Sequence, residues 1–255
     1  MPDRKPEVRN EAAPWSAFDA DVYAKLNYAS LIPEDEEIIR FAAGFLVQAY
    51  RNRPLASHAV DVGSGPNLYP ALLMLPWVER ITFTEIAPLN IGWLKANLPD
   101  APEEEWAWQP FWELMARLPE YENIREPRQR LAGIHHIVEK SIFELPSRTW
   151  DLGSMFFVAD GISSDQAEFE LAVRSFLTAL RPGAPFMMAF MEGSTGYEVS
   201  GVAFPAVRIR QDTLIRLLAD LPVAGTQILR TDKSIRPLRP GYDSMLLVVG
   251  YVTDG

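Results

Sequence analysis

The chain has 255 residues, with 24 basic against 34 acidic side chains and a formal net charge of −10. That balance argues against a binder of nucleic-acid backbone, which needs a basic face, and the absence of cysteine rules out a disulfide framework, a thiolate metal site and a thiol nucleophile. An apolar fraction of 48% supports a sizeable core, and no stretch approaches the roughly 18 apolar residues of a membrane span.

Residues 1–14 read as a flexible tail, polar over Met1–Asn10 and without the apolar stretch of a secretory signal. A soluble, cytoplasmic protein is the expectation. Residues 15–30 are dense in aromatics. A helix is expected to open at Pro33, with Glu34, Asp35, Glu36 and Glu37 in its first turn, where the helix dipole favours acids. Ile38, Phe41, Ala42, Phe45, Leu46 and Ala49 continue it at helical spacing, and Arg51 and Arg53 close it. The run Ala59–Val62, broken by Gly63-Ser64-Gly65-Pro66, reads as a buried parallel strand entering a tight loop. Helix-like Leu68–Leu75, a second strand Ile81–Thr84 ended by Glu85, and a helix Pro88–Leu98 follow.

Residues 100–132 depart from this alternation. They read as an insertion of two helical segments, with Trp106, Trp108, Phe111 and Trp112 clustered as a cap on the sheet. Strands are then expected at Ile134–Glu139, Leu152–Val158, Pro185–Met191, 223–230 and 244–252. Helices are expected at Asp165–Leu180, capped by Ser164, and at Asp212–Leu221. Such alternation predicts an α/β, doubly wound, Rossmann-like sheet, mostly parallel with an antiparallel closing strand, within a single domain over 1–255. In that architecture a ligand sits at the C-terminal ends of the strands. Gly63–Asn67, Glu85, the end of the fourth strand and Glu192 would share that rim.

The informative motif is Val60-Asp61-Val62-Gly63-Ser64-Gly65-Pro66-Asn67. Two glycines one residue apart let backbone approach a ligand closely at a helix N-terminus. Glu85 lies 22 residues after Gly63, where a carboxylate can accept from both hydroxyls of a ribose. A dinucleotide site would want a third glycine at position 68, where Leu68 stands, and no phosphate-binding P-loop occurs. The pattern favours S-adenosylmethionine, which has a ribose and no phosphates. Alone, the glycines could be a structural turn and Glu85 a solvated loop acid; the spacing strengthens both.

The stretch Asp61–Tyr69 resembles the first motif of class I S-adenosylmethionine-dependent methyltransferases, and more narrowly that of the nicotinamide, phenylethanolamine and indolethylamine N-methyltransferases. Ile81–Glu85 resembles that family's second strand and acid, with Glu where Asp is usual; Asn90 falls where the family has an asparagine. Tyr23 and Tyr28 resemble a tyrosine pair in its N-terminal helical lid, here within 1–55. Asp160–Asp165 resembles its loop after the fourth strand, and Tyr197 a tyrosine after the fifth. The resemblance implies cofactor contacts from Tyr23, Tyr28, Gly63, Ser64, Gly65, Asn67, Tyr69, Glu85 and Asn90. Ser141, where the family has Asp, and Ile142 would flank the adenine.

On the acceptor side the resemblance points to Asp160 and Glu192 as catalytic acids that could pass a proton through water, and to Asp243 as a third carboxylate. Trp15, Phe18, Tyr197 and Phe204 are candidate walls, though each could equally be packing. Carboxylates around aromatic rings suit a protonated amine. Asp165 reads better as a helix cap. His135 and His136 would point to opposite faces of a strand, so no metal site is expected. The expected activity is methyl transfer from S-adenosylmethionine to a small molecule, an amine nitrogen of an aromatic or heteroaromatic acceptor. Transfer to O or C, a nucleotide-dependent oxidoreductase, and a non-catalytic scaffold remain as alternatives.

Overall fold

The computed structural model describes residues 7–98, 106–232 and 241–254. Apolar runs buried along their whole length form β1 (Ala59–Val62), β2 (Ile81–Glu85), β4 (Leu152–Phe156) and β5 (Pro185–Glu192). With β3 (His135–Glu139), β8 (Val223–Arg230) and β9 (Ser244–Val252) they make one sheet of seven strands, in the order β3-β2-β1-β4-β5-β9-β8. All neighbours from β3 to β5 pair in parallel; β9 runs antiparallel between β5 and β8. The order reverses between β1 and β4, so the crevice beyond the strand ends opens there.

One face of the sheet is covered by α2 (Pro33–Tyr50) and α3 (Tyr69–Met74), whose apolar side chains share a core with Phe83, Met187 and Leu247. The other is covered by α8 (Gln166–Ala179) and α9 (Gln211–Ala219), packed with Val60, Met188 and Val248. Both helices α2 and α3 begin with proline in the first turn, where its missing N–H costs nothing. Helix α4 (Pro88–Asn97) follows β2 in the same way.

The insertion differs in detail from the expectation. After residues 99–105, which lie outside the described part, it holds three short helices rather than two: α5 (Gln109–Met115), α6 (Pro119–Glu122) and α7 (Pro127–Ile134). Each opens on a proline or places one in its first turn, which is why the segment breaks into short pieces. The Trp106–Trp112 cluster faces inward: Trp108 and Phe111 are buried against Tyr28.

Two further expectations are corrected, and one element is added. From residue 7 onward the leader is anchored: the Val8 amide donates to Ser164 Oγ at 2.8 Å, and the Asn10 amide to Glu168 Oε2 at 2.9 Å. Ser164 is thereby spent on the leader, and Asp165 caps α8, accepting from the Ala167 amide at 2.8 Å. Between β5 and α9 the chain also forms a small hairpin, β6 (Tyr197–Val199) with β7 (Val202–Phe204), which periodicity over three residues per strand cannot announce.

Candidate functional site

A cleft of about 730 Å³, including its open mouth, lies beyond the C-terminal ends of β1, β2 and β4. Its floor is the turn after β1. Gly63 and Gly65 both have positive φ, at 62° and 51°, which side chains other than glycine adopt with strain. A Cβ on Gly63 would stand 2.6 Å from Val158 Cγ1, so the turn is fitted to the loop after β4 as well as bent. The Gly63 and Ser64 amides are tied to the Thr84 carbonyl at 2.8 and 3.2 Å. Helix α3 starts only at Tyr69 and is six residues long, so the turn's own backbone, not a helix N-terminus, presents itself to the cleft.

Glu85 closes the other side of this floor. Its Oε2 accepts from the Gly65 amide at 2.9 Å and from Asn90 Nδ2 at 3.2 Å; its Oε1 accepts from the Ile86 and Ala87 amides at 2.7 and 2.9 Å. Burial pushes the carboxyl above the usual range, and these donors pull it back only in part. Two buried atoms on residues of the wall, Asn67 Nδ2 and Asn90 Oδ1, have no hydrogen-bond partner among the described residues. One is a donor and the other an acceptor, each with unspent hydrogen-bonding capacity.

The roof is aromatic. Trp15, from a single turn at Trp15–Ala17, stacks on Phe204 with ring centroids 5.5 Å apart, and Phe204 stacks on Tyr197 at 5.3 Å. Helix α1 (Ala20–Tyr28), capped by Asp19, brings Tyr23 to 6.3 Å from Tyr197 and Tyr28 to 6.1 Å from Tyr23. The hairpin and the leader thus meet across the cleft. Phe157, in the loop after β4, is held at φ 60°, a strained conformation of the kind that collects at functional sites.

The fold brings thirteen of the expected residues to this cleft: Trp15, Phe18, Tyr23, Tyr28, Gly63, Ser64, Gly65, Asn67, Glu85, Asn90, Ser141, Ile142 and Tyr197. Within it, Ser64 Oγ is turned onto the Asp61 carbonyl at 2.9 Å, and Ser141 Oγ accepts from the Phe143 amide at 3.3 Å. Both hydroxyls therefore support loops.

Asp160 lines a second, smaller chamber, about 450 Å³ including its open mouth, which shares Tyr23, Tyr28, Phe157, Gly161 and Tyr197 with the first. Its Oδ2 accepts from the Met191 amide at 2.9 Å.

Four expected residues line neither cavity. Tyr69 is fully buried, its ring stacked on Phe111 at 5.6 Å and its hydroxyl 3.3 Å from Asp35 Oδ1. Phe204 sits behind Tyr197 in the stack. Glu192 accepts from Arg230 Nε and Ser244 Oγ, both at 2.7 Å, and from the Gln211 amide at 3.1 Å. Burial pushes its carboxyl up, but these hydrogen bonds outweigh that and hold it below the ordinary range. It is a clamp between β5, β8, β9 and α9 rather than a group poised for proton transfer. Asp243 packs its carboxylate over Gly193, where a Cβ would lie 2.5 Å from Oδ2.

Sequence reasoning did not single out Asn10, Phe157, Lys140 or Ile162 of the first cleft, nor Asp35 of the second. Asp35 reads in sequence as one acid in an acidic helix start. No group of three metal-ligating side chains occurs among the described residues, and no helix among them is long and apolar enough to cross a membrane.

The family model for the NNMT/PNMT/TEMT methyltransferases matches residues 8–236. The chain belongs to the NNMT/PNMT/TEMT family. The match takes in the anchored leader, the glycine turn, Glu85 and the hairpin, so the whole cleft lies inside it. No curated protein matches the sequence. Among solved structures the fold is similar to that of the N-methyltransferase NodS from Bradyrhizobium japonicum WM9 in complex with S-adenosyl-L-homocysteine. That pair has a TM-score of 0.51 and 12% identity, over 92% of this chain and 98% of that one. It is also similar to magnesium protoporphyrin IX methyltransferase ChlM from Synechocystis PCC 6803 with bound SAM, with TM-score 0.55 and 11% identity over 92% of each chain. An O-methyltransferase family protein from Burkholderia thailandensis gives TM-score 0.53 and 11% identity, over 99% of this chain and 66% of that one. At such identities the likeness is one of fold.

Proposed function

We propose that this member of the NNMT/PNMT/TEMT family binds S-adenosylmethionine in the first cleft and methylates a small molecule, an amine nitrogen of an aromatic or heteroaromatic acceptor. The observation that carries the reading is the direct hydrogen bond between Gly65 of the turn and Glu85, which joins both halves of an adenosyl-binding pattern on one cavity wall. The residues fit that cofactor. The glycine turn admits close approach of backbone, Asn67 Nδ2 and Asn90 Oδ1 are unspent polar atoms on its wall, and Leu68, buried in the core, occupies the place a dinucleotide fold gives to glycine.

In this reading Gly63–Asn67 and Asn90 hold the amino-acid and ribose portions, and Ile86, Ser141 and Ile142 enclose the adenine. Glu85 has four donors already, so it accepts a ribose hydroxyl by yielding one of them, Asn90 Nδ2 being the longest of the four. Tyr23 and Tyr28 offer ring faces suited to a cation. The cofactor supplies a methyl group already activated on a sulfonium. The protein's own part is to align the acceptor, exclude water beneath the Trp15–Phe204–Tyr197 stack, and manage one proton. Similar folds carry N- and O-methyltransferases; what supports nitrogen as the acceptor is the aromatic and acidic lining of the second chamber.

Calorimetric titration with S-adenosylmethionine and with NAD, followed by incubation with labelled S-adenosylmethionine and a panel of small amines, phenols and carbon nucleophiles, tests the reading. Binding of NAD alone refutes it. Cofactor binding with no transfer to any acceptor would favour a scaffold.

A further inference from the structure

The second chamber holds a carboxylate that the cofactor does not need. Asp35 sits in the first turn of α2, 1% exposed, and lines the chamber together with Asp160. Its Oδ1 accepts from the Tyr69 hydroxyl at 3.3 Å, while Oδ2 has no hydrogen-bond partner among the described residues. A buried carboxylate oxygen left open is costly unless a ligand or a proton satisfies it. The same chamber is lined by Tyr23, Tyr28, Phe157, Tyr197, Met191 and Met245. Carboxylates inside a ring of aromatic faces form a receptor for a small organic ammonium, since burial makes each charge and each quadrupole count for more.

We propose that Asp35 receives the ammonium group of a small amine acceptor in this chamber and takes a proton from it. The step moves one proton: an N–H bond of the ammonium breaks, an O–H bond forms at Oδ2, and the electron pair stays on nitrogen, which becomes a neutral nucleophile. This deepens the methyl-transfer reading above and rests on it for the later fate of that electron pair. Burial raises the Asp35 carboxyl to about 7, opposed by the Tyr69 hydroxyl and aided by Glu34, which suits a base working near neutral pH. The other titratable groups facing it are Tyr23, Tyr28 and Tyr69, with Asp160 lining the same chamber. Asp61 lies beyond Tyr69 and is also raised to about 7, so a titration near neutrality has two candidate owners and needs a variant to assign it.

The test measures binding as well as turnover. Tryptamine, phenethylamine and 4-aminomethylpyridine are titrated calorimetrically into protein saturated with S-adenosyl-L-homocysteine, from pH 5.5 to 8.5, for the native chain, Asp35→Asn and Tyr69→Phe. The expected result is binding that weakens at least tenfold below pH 6.5, and is weaker by tenfold or more at pH 8 in Asp35→Asn, with S-adenosyl-L-homocysteine affinity unchanged within twofold. In Tyr69→Phe, loss of the hydroxyl that favours the charged carboxylate should move the pH midpoint upward. Unchanged S-adenosyl-L-homocysteine affinity shows that the variants are folded. Amine binding that Asp35→Asn leaves intact, or no binding of any amine to the native chain, overturns the proposal. Amine binding lost in Asp35→Asn without methyl transfer by the native chain would support the ammonium site and refute the methyl-transfer reading, so the two fail separately.

Discussion

The Glu85 carboxylate at the end of β2 and the Gly65 amide in the turn after β1 hold each other at 2.9 Å, and three more donors complete the carboxylate's shell. A glutamine there keeps the shape but turns an NH2 group toward N–H donors. Glu85→Gln should therefore lower stability by about 2–3 kcal/mol, the cost of stranding buried donors. It should also weaken S-adenosylmethionine binding at least tenfold. Thermal unfolding and calorimetry on the same preparation check both.

The two turn glycines should not respond alike. Gly63→Ala adds a Cβ at 2.6 Å from Val158 to a residue at φ 62°; a Cβ on Gly65 meets nothing closer than 3.6 Å. Backbone strain alone costs about 1–2 kcal/mol. Gly65→Ala should lose about that much, and Gly63→Ala visibly more, with loss of cofactor binding. Equal melting temperatures for the two variants would contradict the close fit of the turn against Val158.

Glu192 makes a different prediction. Glu192→Gln breaks a buried charge-assisted contact to Arg230, whose side chain is 44% exposed and can turn to water. A loss of about 1–3 kcal/mol is expected. The KM for cofactor and the pH profile of methyl transfer should be unchanged within twofold. A hundredfold loss of kcat in a variant that keeps its fold would restore a chemical role to this acid.

Stability should fall as pH rises through neutrality. Asp61, buried with its Oδ1 accepting from Ser154 Oγ at 2.6 Å, is raised to about 7 by burial, as is Asp35. Between its unfolded value near 4 and about 7, such a group binds more protons folded than unfolded, so each unit of pH removes stability. The loss saturates above 7 at roughly 4 kcal/mol per group as an upper bound. Denaturant unfolding at pH 5 and pH 8 should show the higher midpoint at pH 5. Asp61→Asn should flatten part of that slope, and a slope of the opposite sign would refute the assignment.

Much of this was legible because it is local. Glycine spacing, proline at helix starts and apolar runs of strand length act over a few residues, and the elements they announce for β1, β2, β8 and β9 match the structure closely. That the glycine turn and Glu85 stand together was also readable, since a parallel βαβ unit places successive strand ends side by side. Caps were legible in part: of Ser164 and Asp165, both expected to cap α8, Asp165 does so, while Ser164 Oγ accepts from the Val8 amide of the leader.

What the sequence determined by itself, then, is the alternation of strand and helix and the adenosyl-type turn, because both follow from short-range sterics and hydrogen bonding. The roles of its isolated acids were decided by tertiary structure. Glu192 stands at a strand end, where ligands bind, yet Arg230 and Ser244, 38 and 52 residues away, claim its oxygens once β8 and β9 close the sheet. Asp35 looks like a solvated first-turn acid, yet packing of α2 against α3 and α5, with the Tyr28, Tyr69 and Phe111 rings, buries it at a chamber wall. A charge's chemistry depends on its solvation and its partners, and both are supplied by residues far away along the chain.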